Sequence, residues 1–236
     1  AFHPEMISDL TRAFKGLALE KNTRLVYLSG HGKSFCSGAD LEWMKSMAGF
    51  SEAENITDAE KLYEMFESIK QCPFPVITKV HGHVMGGALG LLAVSDMVVA
   101  EENTQFCFSE AKLGLAPAVI SAFVKDRVSV GDMNHYFLTA DVFNSHEAQH
   151  IGLVHRVAKE ADIDGVVHKW TKSVLMNGPS AVKATKQLIQ QISQTNDAMA
   201  LKKITSRLIA QLRSGQEGQE GLKSFFEKRD PSWRKQ

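Results

Sequence analysis

HGHVMGGALGLLAVSD, residues 81–96, follows the apolar run PVITKV and holds three glycines within five positions, Gly86, Gly87 and Gly90. Glycine after a strand lets the backbone approach a ligand closely, and a helix starting there points free N–H groups at negative charge. Two phosphate-binding templates were tested against it. Gly32-Lys33-Ser34 supplies the end of a P-loop, but Tyr27 stands where its first glycine belongs. The dinucleotide fingerprint needs glycines at its first, third and sixth positions, and no register of 82–90 provides them. Gly30-His31-Gly32 fails as well, because Phe35 takes the last place. Neither nucleotide template fits.

The segments on either side alternate helical and strand periods. Residues 4–20 place Met6, Ile7, Leu10, Phe14 and Leu17 at helical spacing. RLVYLSG (24–30) reads as a short strand, HGKSFCSGAD (31–40) as a polar loop, and Leu41 to Met47 as a short helix leaving it. Residues 51–70 form an amphipathic helix with Ser51 as N-cap and Glu54 completing a capping box. CPFP ends that helix, since a residue before proline is pushed out of helical geometry. PVITKVHG is then a buried strand and GALGLLAVS an apolar helix; MVVA and QFCF repeat the strand–turn–strand logic. Further helices are expected over 116–130 and 145–151. From 180 onward the pattern is almost wholly helical. The one domain boundary therefore falls near Asn177, with an α/β core over 1–176 and a helical module over 177–236.

Composition narrows the function classes. With 236 residues, 44% hydrophobic, 23% charged and zero formal net charge, the chain can bury a sizeable core. It gives no electrostatic reason to expect a nucleic-acid or membrane partner. Cys36, Cys72 and Cys107 cannot all pair, which favours reduced thiols and a cytoplasmic location, with an organellar matrix left open by the start at Ala1. HEAQH, residues 146–150, satisfies the H-E-x-x-H zinc pattern. The alternative is a short solvated helix capped by Ser145, and the lack of a third ligand on a following helix favours it. No metal site is expected.

Read together, RLVYLSGHGKSFCSGADLEWM, PVITKVHGHVMGGALGLLAVSDMVVA and FCFSEAKLGLAPAVIS resemble the crotonase family, also called the enoyl-CoA hydratase/isomerase family. LTADVFNSHEAQHIGLV extends the resemblance. The segments GADLEWM, GGALGL, SEAKLGLAPAVIS and EGQEGLKSFFEKRDPSW are similar to those of bacterial methylglutaconyl-CoA hydratases. The resemblance implies an α/β crotonase-like spiral: repeated ββα units, two roughly perpendicular sheets and a C-terminal helical module for oligomerisation. It also implies a homotrimer or a dimer of trimers, and it places the family's first strand upstream of Ala1.

The implied chemistry runs through an enolate. When a proton or water moves next to a conjugated thioester, negative charge develops on the thioester oxygen, and preorganised donors must meet it. The resemblance assigns those donors to the backbone N–H groups of Ala39, in the G-A-D loop, and of Gly87. It assigns acid–base work to Glu110, whose apolar setting (Phe106, Phe108, Leu113, Leu115) is expected to raise its pKa. Typical hydratases carry a second glutamate, and Gly90 stands at that position, where it either leaves the site empty or enlarges the acyl pocket. Lys33, Ser37, Asp40, Leu41 and Gly86 are the implied contacts to CoA and substrate. No cofactor is expected, because coenzyme A belongs to the substrate. The expected function is reversible hydration of a 2-enoyl-CoA, foremost 3-methylglutaconyl-CoA in leucine degradation. The alternatives are an enoyl-CoA isomerase, an isoprenoid-type glutaconyl-CoA hydratase, and an inactive acyl-CoA-binding scaffold.

Overall fold

The architecture, taken from a computed structural model that describes residues 1–234, is two sheets, one of four strands and one of three, flanked by helices. After helix α1 (Pro4–Leu17) come β1 (Val26–Ser29), α2 (Leu41–Met47) and α3 (Glu52–Lys70). A strand pair follows, β2 (Val76–Val80) and β3 (His83–Met85), then α4 (Ala88–Val94) and the pair β4 (Met97–Glu101) and β5 (Gln105–Cys107). A 3-10 turn over Glu110–Leu113 leads to α5 (Ala118–Val124), α6 (Val130–Thr139), β6 (Phe143–Asn144), α7 (Ser145–His150), β7 (Arg156–Ala158) and α8 (Ile163–Leu175). One sheet has the order β1-β2-β4-β7 and the other β3-β5-β6. Strands β2, β4 and β7 pair in parallel, as do β3 and β5, while β6 runs antiparallel to β5. The strand pairs β2–β3 and β4–β5 each give their first strand to the four-stranded sheet and their second to the three-stranded one.

Local signals explain the helix boundaries. Ser51 and Glu54 form the expected capping box at the start of α3. The cap of α7 differs from expectation. Asn144, not Ser145, accepts from the N–H groups of His146 and Glu147, and Glu147 reaches back to the Asn144 N–H at 2.8 Å. Ser145 is buried and donates to the Glu102 carbonyl at 2.7 Å. Glu147 is therefore a capping group, and His146 and His150 are exposed. Among the described residues no three His, Cys, Asp or Glu side chains form a metal-binding group, and no helix is long and apolar enough to cross a membrane.

The chain divides into two compact units. The first runs over 1–21, 27–72 and 76–167 and contains the spiral. Its centre is α4, in which every residue from Ala88 to Val94 is buried. Arg127 holds the carboxyl end of that helix. Its guanidinium donates to the Ala93 carbonyl at 3.0 Å and to the Ser95 carbonyl. Burial pulls the Arg127 pKa down, while Asp96 and Asp126 favour its charged form. At Gly90, mid-helix, a Cβ would stand 2.6 Å from Phe66 Cζ and 2.7 Å from Ile120 Cγ2. Phe66 is wholly buried and lies edge-on to Phe2 at 6.3 Å and tilted against Phe123 at 5.6 Å, so the ring has no room to yield.

The second unit joins residues 22–26 and 73–75 to the chain from His168 onward. Its helices are the end of α8, α9 (Pro179–Ser193), α10 (Ala198–Ser214) and α11 (Gln216–Phe226). The two short segments are bound by cations. Arg24 donates to the Leu175 and Asn177 carbonyls, buried Lys186 donates to the Phe74 carbonyl at 2.9 Å, and Lys183 lies 4.3 Å above the Phe74 ring. Glu217 caps α9 by accepting from the N–H groups of Ser180 and Ala181. Arg229 grips Glu220 with two bonds of 2.7 and 2.8 Å and holds its carboxyl down at about 2.

Gly90→Ala is expected to lower stability by about 1–3 kcal/mol, the usual cost of overpacking a filled core. A thermal midpoint equal to wild type would show that Phe66 and Ile120 yield without cost.

Candidate active site

The site is assembled where the 31–40 loop crosses the start of α4. The loop is tied to β3 by backbone bonds: the Phe35 N–H donates to His81 O, the Cys36 N–H to His83 O, and the Met85 N–H to Cys36 O. His81 adds a bond from Nε2 to the Gly32 carbonyl at 2.9 Å, and His83 Nδ1 pairs with Ser34 Oγ at 3.2 Å. Both imidazoles therefore fasten the loop, which accounts for their position at the strand end. Gly38, at φ +104°, then lets the chain turn with room for a Cβ only 3.5 Å from the Met85 carbonyl.

Phe2 connects the two expected donors. Its N–H donates to Gly38 O at 2.8 Å and its carbonyl accepts from the Asp40 N–H at 2.7 Å, so its backbone runs parallel beside Ala39. In that pairing the Ala39 N–H faces away from Phe2. The Phe2 ring meanwhile packs 3.5 Å from where a Gly87 Cβ would stand. Among the described residues neither the Ala39 nor the Gly87 N–H has a backbone acceptor. Gly87 begins α4 with no side-chain cap; the Leu89 and Gly90 N–H groups turn back to the Gly86 and Gly87 carbonyls at 3.0 Å, and the Gly87 N–H is left out of that pairing. Gly87 itself has an ordinary helical backbone; Gly86, at φ +54°, is the one that requires glycine.

Glu110 lies against Gly86. A Cβ on Gly86 would stand 3.5 Å from Glu110 Oε1 and 3.3 Å from Ser109 Oγ. The other carboxylate oxygen, Oε2, is buried and has no hydrogen-bond partner. Burial pushes the Glu110 pKa above its ordinary 4.5, and a bond from its own backbone N–H opposes the shift. The expected apolar setting is half right. Phe106 and Phe108 are buried, but Leu113 and Leu115 are 58% and 62% exposed and do not enclose the carboxyl.

The remaining expected residues sort by what their side chains do. The Asp40 carboxylate caps α2, accepting from the N–H groups of Glu42 at 2.9 Å and Trp43 at 3.2 Å, so it holds the loop in shape. Lys33, Ser37 and Leu41 are exposed on the loop and the first turn of α2. The expectation that Gly90 leaves space is corrected. The place of the second carboxylate is filled by Phe66 and Ile120, and the site has an apolar wall there. Phe2, Phe66 and Ile120 were not readable as site residues, because nothing local marks a core aromatic as the support of a catalytic loop.

The α/β spiral thus brings together two backbone N–H groups without a backbone acceptor and one desolvated carboxylate. The chain belongs to the enoyl-CoA hydratase/isomerase family, whose model matches residues 1–236. It is similar to the crystal structure of an enoyl-CoA hydratase from Shewanella pealeana, with a TM-score of 0.94 at 35% identity over 98% of this chain and 87% of that one. It is 30% identical to enoyl-CoA hydratase ACTT6 of Alternaria alternata, over 92% of this chain and 71% of that protein. It is also 28% identical to the crotonyl-CoA hydratase of Syntrophomonas wolfei, over 97% and 87% respectively.

Glu110→Gln is expected to lower turnover by about a hundredfold or more, the scale of general acid–base catalysis. The same change tests the shifted pKa through stability. A carboxyl whose folded pKa is raised costs the folded state stability once pH rises through that pKa, and nothing below its ordinary 4.5. The Gln variant should therefore melt at or above the wild-type temperature at neutral pH, with the difference closing as pH falls to 4. A variant that melts lower at neutral pH would contradict a desolvated carboxylate.

Proposed function

We propose that the chain catalyses reversible hydration of a 2-enoyl-CoA thioester, with Ala39 and Gly87 as oxyanion donors and Glu110 as the sole acid–base residue. The observation that supports this reading is one desolvated carboxylate, Glu110, with Oε1 beside Gly86 and with a buried Oε2 that has no hydrogen-bond partner. The thioester oxygen accepts from the two N–H groups. Glu110 takes a proton from water while the water oxygen bonds to C3, and the π electrons move onto the thioester as an enolate. Protonated Glu110 returns that proton to C2, and the enolate electrons restore the carbonyl. One carboxylate thus serves both half-reactions. Each oxyanion donor contributes about 2.7–4 kcal/mol in sites of this kind.

The acyl group proposed is 3-methylglutaconyl, in leucine degradation, on the likeness of GADLEWM, GGALGL and SEAKLGLAPAVIS to methylglutaconyl-CoA hydratases. Double-bond isomerisation is the second reading, and the closed Gly90 position favours it, since a 1,3 proton shift needs one base and no water. The Glu110 carboxylate beside Gly86 weighs against an inactive scaffold. Absorbance of conjugated enoyl-CoA thioesters, straight, branched and carboxylated, decides among these. Loss of signal is expected, fastest for the branched carboxylated substrate. Gain of signal from a 3-enoyl substrate, with no loss from 2-enoyl substrates, would make the chain an isomerase.

A homotrimer or dimer of trimers is proposed as the working assembly. On α11, Phe225 and Phe226 are 76% and 77% exposed and pack edge to face at 5.7 Å, with Leu222 exposed on the same helix. Aromatic pairs in water are a large unburied apolar area. Changing both phenylalanines to aspartate is expected to shift the native mass to that of a monomer; an unchanged mass would place the subunit contact elsewhere. Cys36 and Cys107 are buried thiols, which supports a reducing compartment such as the cytoplasm.

A further inference from the structure

We infer that the Ser109 hydroxyl positions the attacking water beside Glu110, in place of a second carboxylate. The inference rests on the hydratase reading of the same site and assigns the water-binding half of it. Ser109 stands at the N-cap of the 3-10 turn Glu110–Leu113, where a serine hydroxyl ordinarily accepts from the N–H groups of the turn. Here it accepts none of them. The side chain turns instead toward Gly86, and its Oγ lies 3.3 Å from a point that is 3.5 Å from Glu110 Oε1. Two oxygens, one hydroxyl and one carboxylate, thus face the peptide immediately before Gly87. On the Gly90 side, Phe66 and Ile120 offer no polar atom to hold water.

A water donating one hydrogen to Glu110 Oε1 and the other to Ser109 Oγ has its lone pair free for C3 of the enoyl group. As the water attacks, the proton on the Glu110 side passes to the carboxylate and the C3–O bond forms. The second hydrogen stays on the oxygen and becomes that of the product hydroxyl. Ser109 neither gains nor loses a proton. Its role is orientation, and misplacing a reactant by about 1 Å costs on the order of a hundredfold in rate.

The distinguishing measurement compares two reactions of one site. Hydration of a 2-enoyl-CoA needs the water. Exchange of the C2 protons of a saturated acyl-CoA with deuterated solvent, followed by NMR, needs only Glu110 and the oxyanion donors. In Ser109→Ala the ratio of hydration to exchange is expected to fall by about tenfold to a hundredfold, and Ser109→Thr, which keeps a hydroxyl, should recover most of it. An unchanged ratio overturns the inference, whether both rates persist or both fall together. Wild-type protein that catalyses exchange but no hydration would overturn the hydratase reading itself, a result that the Ser109 variants cannot produce.

Discussion

Close packing of aromatic rings on the glycines around the start of α4 is the constraint on which this site depends. The Phe2 ring packs on Gly87 and the Phe66 ring on Gly90. Phe2 also carries the backbone bonds that align the Ala39 loop. A backbone donor cannot be aimed by choosing a rotamer. It is aimed only by fixing the peptide that carries it, and here both donor peptides are fixed through one buried residue. Preorganisation of that kind gives an oxyanion site its strength, because no reorganisation is needed when charge develops.

The same packing shapes the acid–base chemistry. A glycine at position 90 suggests empty space, yet a buried glycine in a helix is just as often where a neighbour comes close. Phe66 and Ile120 do so here, and they fill the place a side chain at position 90 would take. The remaining carboxylate, Glu110, is itself buried, and burial raises its pKa.

Much of the fold was legible along the chain. The limits of α2, the capping box at Ser51, and the strands on either side of the glycine run all follow from local periodicity and punctuation, which act over a few residues. Other elements were less visible. The three-residue strand His83–Met85 was read as part of the glycine stretch, because its pairing with Gln105–Cys107 is non-local. Helices α6 (Val130–Thr139) and α8 (Ile163–Leu175) lie outside the helices expected over 116–130 and 145–151. The second unit recruits residues 22–26 and 73–75 through Arg24, Lys183 and Lys186, a link no linear pattern could announce.

By itself the sequence determined the family and which residue types are available to the site. It carries a G-A-D loop, a glycine pair before an apolar helix, one glutamate after a strand, and no second glutamate at Gly90. Those are matters of residue type and order, and they read directly. Only the tertiary structure decided what the gap at Gly90 means, which oxygen of Glu110 is without a partner, and that Phe2 braces both donors. Each of those depends on distances between residues far apart in the chain, and close packing sets such distances all at once rather than one segment at a time.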